Sequence, residues 1–121
     1  MNILIIEDNP LNMKLASDVL RRQGYTVLQA TDADTGINIA IQERPDLILM
    51  DIQLPGMDGL AATRLLKNNE TTKQIKIIAL TAFAMKGDEE RMIEAGCDAY
   101  VSKPIRYKEF LATVESLLKA T

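Results

Sequence analysis

Five short apolar segments, each followed by a stretch with helical spacing, constrain this chain more than any other feature. The segments at residues 3–6, 26–29, 47–50, 77–80 and 99–101 are rich in aliphatic and β-branched side chains and bounded by polar or turn residues, as strands are. Between them the spacing becomes helical. Leu11, Leu15, Val19 and Leu20 are spaced to share one face of a first helix, with Asn9 as its cap, Pro10 at the first helical position and Gly24 beyond its end. Further helices are expected at 33–43, stopped by Pro45, at 59–67, at 88–95, ended by Gly96, and at 108–119. Strand and helix alternate five times. Segments 3–6 and 47–50 are continuously hydrophobic, as strands covered on both faces must be. The expected fold is therefore α/β, a (βα)5 doubly wound architecture around a five-stranded parallel sheet.

At 121 residues, with 47% hydrophobic and 26% charged positions, the chain can bury one sizeable core. It is expected to form one domain over residues 1–121, with no internal repeat, no linker and no residues left for an output domain. A net charge of −3 supplies no basic field, so nucleic-acid binding is not expected. The apolar run at 3–6 is far too short to cross a bilayer and has no signal-peptide flanks, so no membrane insertion and a cytoplasmic location are expected. The single Cys97 has no disulfide partner and reads as a packing residue; the chain contains no histidine, which removes the main ligand of common zinc and Cys-His sites.

Ligands of open α/β sheets sit in the crevice beyond the carboxyl ends of the strands. There the first strand runs into Glu7-Asp8, the third into Asp51 and the fourth into Thr81, and Lys103 follows the fifth. If strands one, three, four and five are neighbours, these groups converge. Three adjacent carboxylates repel one another and resist burial unless a cation sits among them. Mg²⁺ suits such a site, because it takes a few carboxylate and carbonyl oxygens and keeps several waters. Lys103 adds a second positive charge. Taken singly, Glu7-Asp8 also reads as an acidic pair at a helix N-terminus and Asp51 as a loop cap. The segment Asp51-Ile-Gln-Leu-Pro-Gly-Met-Asp-Gly59 is a strand end followed by a loop that Pro55 and Gly59 stiffen, offering the Gln53 backbone carbonyl to the ion. In Ser102-Lys103-Pro104 the X-Pro bond is expected to be cis, aiming the lysine into the pocket.

Glu7-Asp8, the loop from Asp51 to Gly59, Thr81-Ala82 and Lys103-Pro104 together resemble the receiver domain of two-component response regulators, across the whole chain. Within that family, Ala82-Phe-Ala-Met-Lys-Gly-Asp-Glu-Glu-Arg91 is similar to the single-domain, DivK-type cell-cycle and polarity regulators. The resemblance implies the strand order 2-1-3-4-5. It implies Asp51 as phosphoacceptor, Asp8 as direct Mg²⁺ ligand with Asp51 and the Gln53 carbonyl, Glu7 as a ligand through water, and Mn²⁺ as a substitute ion. It implies that Thr81 bonds a phosphoryl oxygen and that Lys103 balances charge on the transferred group. Thr81 and Tyr100 would form a conformational switch remodelling the surface of the fourth helix, fifth strand and fifth helix for a downstream protein. Gln53 and Phe83 stand where receivers tune hydrolysis. The donor would be a histidine kinase or histidine phosphotransfer protein, and the chain would promote only its own phosphorylation and dephosphorylation, not act as an enzyme on others.

A receiver module of a hybrid histidine kinase would carry the same residues. A small Mg²⁺-dependent aspartyl-phosphate phosphohydrolase of the haloacid dehalogenase type would need a second Asp two residues after its nucleophile, where this chain has Gln53. A nucleotide site would need a Gly-rich loop after the first strand, where Glu7-Asp-Asn-Pro-Leu11 stands instead.

Overall fold

In a computed structural model, which describes residues 1–82 and 86–119 (of Lys86 the backbone only), five parallel strands alternate with five helices. The elements are β1 (Asn2–Ile6), α1 (Pro10–Arg22), β2 (Thr26–Ala30), α2 (Ala33–Glu43), β3 (Leu47–Asp51), α3 (Gly59–Lys67), β4 (Lys76–Thr81), α4 (Lys86–Ala95), β5 (Ala99–Ser102) and α5 (Tyr107–Lys119). The sheet order is β2-β1-β3-β4-β5, as the resemblance implies. Phe83 lies outside the described residues.

The pleat sends alternate side chains to opposite faces. Ile3, Ile5, Leu47 and Leu49 meet Met13, Ala16 and Leu20 of α1 and Phe110, Val114 and Leu118 of α5. Leu4, Ile6, Ile48 and Met50 face Ala33 and Ala40 of α2 and Ala62 and Leu66 of α3. Met92 and Ala95 of α4 pack with Leu60 and Ala79 beside them. Each fully buried aliphatic side chain contributes about 1.5–3 kcal/mol, so the central strands β1 and β3 anchor the fold.

Helix starts follow the local chemistry. Asn9 Oδ1 accepts from Asn12 N–H at 3.0 Å, Asp32 Oδ1 from Thr35 N–H at 2.7 Å, and Asp58 Oδ1 from Ala61 N–H at 2.8 Å. The stripe expected on α1 holds at Leu20 and in part at Val19, and is corrected at Leu11 and Leu15. Leu11 is 64% exposed and Leu15 39%, while the buried face is Met13, Ala16, Ser17 and Leu20, with Val19 half-buried against it. Ser17 can be buried because Gln29 Nε2 of β2 donates to its hydroxyl at 2.9 Å.

Register sets the site. Ile6 lies opposite Met50, Asp51 opposite Leu80, and Thr81 opposite Ser102. Glu7, Asp51, Thr81 and Lys103 therefore leave the sheet at the same edge. No helix among the described residues is long and apolar enough to cross a membrane.

Candidate functional site

Glu7 directly follows β1 and its N–H donates to Ala30 O at 3.0 Å, which fixes it between β2 and β3. Its side chain is 1% exposed. Asp51 closes β3 at 2% exposure, with Oδ1 accepting the Gln53 N–H at 2.9 Å. The next residue is clamped on both sides: Ile52 N–H donates to Leu80 O at 3.0 Å, and Ile52 O accepts from Gly59 N–H at 3.1 Å. Asp8 stands exposed at the mouth, and one carboxylate oxygen each of Glu7, Asp8 and Asp51 fall within 4.8 Å of one another.

Lys103 follows β5 and reaches inward. Its N–H donates to Thr81 O at 2.8 Å, and its ammonium lies 3.1 Å from Asp51 Oδ2 and 3.2 Å from Glu7 Oε1. The Lys103–Pro104 peptide is cis. Thr81 is the buried last residue of β4. Gln53 is exposed two residues beyond Asp51. Tyr100 sits away from these groups, in β5 opposite Ala79 and 38% exposed. It borders a cavity of about 440 Å³ shared with Lys103, Arg106 and Glu109.

Electrostatics divide the two buried acids. Burial first, and then the adjacent Asp51 carboxylate, push Glu7 up to about 7, against the pull of Lys103. Burial also pushes Asp51 upward, but hydrogen bonds from Glu7 and the Gln53 N–H, with the Lys103 charge, outweigh it and hold Asp51 below the ordinary carboxylate range. Burial would lower Lys103, yet Asp51 and then Glu7 raise it. Without a metal, Glu7 is thus only partly ionised near neutral pH, Asp51 is the more readily ionised of the two, and Lys103 is held charged by both.

One observation tests whether these residues suit a metal ion. Glu7 Oε1 is buried and makes no hydrogen bond in spite of the nearby ammonium, so it has a lone pair left for a ligand or a water. With three carboxylates converging on one point, the donor set fits a hard, oxygen-preferring divalent cation.

The sequence brought Glu7, Asp8, Asp51, Thr81 and Lys103 to one place on strand logic. It did not show that Lys103 touches both buried acids, nor that Gly59 presses on the Asp51 backbone. The only signal for the latter was a glycine at a helix start. Cys97 packs against both cores on the α3 and α4 side, and burial pushes its thiol up, away from reactivity. Met57 packs against the α2–α3 core.

Residues 3–115 match the family described as response regulator receiver domain. The polar-differentiation response regulator DivK of Brucella anthropi is 48% identical over 117 residues, covering 97% of this chain and 95% of its own. The receiver domain of sensor histidine kinase PA1611 from Pseudomonas aeruginosa, solved with a magnesium ion coordinated in its active-site cleft, is 37% identical with a TM-score of 0.91 over 98% of both chains. The chemotaxis response regulator CheY4 of Vibrio cholerae, at 22% identity and a TM-score of 0.91 over 96% of this chain and 97% of its own, shares the fold. With its sheet order, its convergent acids and these relatives in agreement, the chain belongs to the response regulator receiver domain family, the phosphoacceptors of two-component signalling.

Proposed function

We propose that Asp51 is the residue that takes the phosphoryl group, from the phosphohistidine of a histidine kinase or histidine phosphotransfer protein. The observation that carries this is the place of Asp51: buried, ionised, held by the Gln53 N–H, and 3.1 Å from the Lys103 ammonium. A carboxylate oxygen attacks phosphorus, the P–N bond breaks, and the imidazole leaves with the bonding pair and takes up a proton. No residue of this chain is histidine, so the donor is another protein or another domain. Asp8, Asp51 and the Gln53 carbonyl would hold Mg²⁺ directly and Glu7 through water, with Mn²⁺ as a substitute. The ion, when bound, neutralises charge spreading over the phosphoryl oxygens. Lys103 balances the remaining charge, first on Asp51 and then on the phosphoryl group.

A phosphoryl group adds nearly two negative charges and three acceptor oxygens beside Thr81. In this reading the Thr81 hydroxyl bonds one of them, and Tyr100 turns inward as Thr81 moves. The downstream protein then reads the face of α4, β5 and α5, on which Tyr100 stands partly exposed. Gln53 and Phe83 flank the phosphoryl group and set its lifetime. The chain works on itself alone, in the cytoplasm. The resemblance to the receiver domain of a sensor kinase supports a second reading, a module of a hybrid histidine kinase, which has the same chemistry at Asp51 but a tethered donor.

Phosphoramidate, whose P–N bond matches that of phosphohistidine, tests the donor chemistry. With Mg²⁺ it is expected to yield an acyl-phosphate signal in ³¹P spectra of the wild type that Asp51→Asn lacks. The same signal in both proteins would contradict the assignment.

A further inference from the structure

We infer that Gly59 is a positioning residue for the phosphoacceptor: its bare backbone sets where Asp51 stands. The inference rests on the reading of Asp51 given above.

Gly59 opens α3 and is buried. Its backbone φ is not positive, unlike those of Gly24, Gly56 and Gly96, so conformational freedom does not call for glycine at this position. Space does. A Cβ at Gly59 would collide with the Asp51 carbonyl oxygen and would lie 2.8 Å from Ile52 Cα and 2.9 Å from the Asp51 carbonyl carbon. All three are main-chain atoms, which cannot rotate aside as a side chain does. The helix end cannot withdraw freely either. Gly59 N–H is bonded to Ile52 O at 3.1 Å, Gly59 O accepts from the buried Thr63 hydroxyl at 2.8 Å, and Asp58 caps the same turn. On the other side Ile52 N–H is tied to Leu80 of β4. The end of β3 is thus wedged between α3 and β4, and the wedge closes only where residue 59 has no side chain.

An added methyl group must open this contact by on the order of 1 Å to reach ordinary van der Waals distance. The shift falls on the main chain that carries the Asp51 carboxylate, and misplacement by that distance costs about a hundredfold in rate. Gly36 offers a control of the other kind. The three atoms nearest a Cβ there all belong to the side chain of Ile6, at 2.7 Å from Cγ1 and closer to Cδ1, and none is main chain.

The test compares wild type, Gly59→Ala, Gly36→Ala and Asp51→Asn. It measures the rate constant of phosphoryl uptake from acetyl phosphate at saturating Mg²⁺, and the Mg²⁺ affinity, in proteins whose folding is checked by circular dichroism. Gly59→Ala is expected to take up phosphoryl about a hundredfold more slowly and to bind Mg²⁺ about tenfold more weakly, with Gly36→Ala within threefold of wild type on both. A Gly59→Ala rate within threefold of wild type would overturn the inference, as would an equal loss in Gly36→Ala. Should Gly59→Ala not fold, Thr63→Val carries the test. It removes the hydroxyl bond to the Gly59 carbonyl, and uptake is expected to slow three- to tenfold and to return in Thr63→Ser; an unchanged rate in Thr63→Val then overturns the inference. A wild type that takes up no phosphoryl group at all would instead strike at the reading of Asp51, while the Mg²⁺ affinities still decide whether Gly59 positions that carboxylate.

Discussion

The Lys103 ammonium lies 3.1 Å from Asp51 Oδ2 although β3 and β5 are not neighbours, since β4 runs between them. It spans the gap because its own N–H is held by Thr81 O, and from there the same ammonium comes within 3.2 Å of Glu7 Oε1. One monovalent cation therefore leans on the two buried acids that would also serve a divalent ion.

Competition between the two cations gives the first prediction. Opposite charges a few ångströms apart interact by several kcal/mol at the effective dielectric of such a site, on the order of 4 kcal/mol at 4 Å. Lys103→Met is expected to bind Mg²⁺ at least threefold more tightly and yet to take up phosphoryl groups at least tenfold more slowly. Calorimetry and intact-mass time courses separate the two effects. Weaker Mg²⁺ binding in this variant would show that the lysine organises the ion site instead of competing for it.

Glu7 makes Mg²⁺ binding depend on pH. In the metal-free protein its pKa is raised to about 7, chiefly by burial, so below that pH the ion must expel a proton to bind. The dissociation constant is expected to be about tenfold higher at pH 6 than at pH 8, with one proton released at the lower pH. The same shift acts on stability. A folded carboxyl that holds its proton more tightly than the unfolded one makes the metal-free fold lose stability as pH rises through about 5 to 7. Asp51, held below the ordinary range, works in the opposite direction but only under strongly acid conditions. Flat Mg²⁺ affinity between pH 6 and 8 would contradict the burial of Glu7.

Because the chain has no tryptophan, Tyr100→Trp creates a single reporter on β5. If Tyr100 turns inward on activation, beryllofluoride with Mg²⁺ should shift its emission to the blue and protect it from an added quencher. In a Thr81→Ala background that change should be lost. Identical spectra with and without beryllofluoride would remove Tyr100 from the switch.

At the other end of the sheet, Asp98 Oδ2 accepts from Ile77 N–H at 2.9 Å and Lys67 Nζ at 3.0 Å, while Lys67 also donates to Ile75 O at 2.9 Å. This ties α3 to the starts of β4 and β5. Asp98→Ala leaves a backbone donor unpaired and is expected to cost about 1–3 kcal/mol in urea unfolding. Phosphoryl uptake should stay within twofold of wild type, since Ile77 is the second residue of the strand that Thr81 ends.

The sequence carried the five strands, their alternation with helices and the convergence of Glu7, Asp8, Asp51, Thr81 and Lys103, because strand-end polar residues and unbroken apolar runs are local signals. What it hid were contacts between distant elements. The stripe read from the sequence, residues 11, 15, 19 and 20, shares Leu20 with the buried one, residues 13, 16, 17 and 20, on α1. The polar Ser17 on the buried face finds its hydroxyl partner in Gln29 of β2, a contact that helical spacing does not announce. The Lys67–Asp98 tie joins residues 31 apart, and neither spacing nor composition announces it. Gly59 looks like any helix-opening glycine until the Asp51 carbonyl is seen against it.

Whether Asp51 accepts a phosphoryl group is read from intact mass spectrometry after incubation with acetyl phosphate and Mg²⁺. The wild type is expected to gain the mass of one phosphoryl group, and to gain none when Mg²⁺ is chelated before the donor is added; Asp51→Asn is expected to gain none. An unmodified wild type with Mg²⁺ bound, or a phosphorylated Asp51→Asn, would contradict Asp51 as the acceptor.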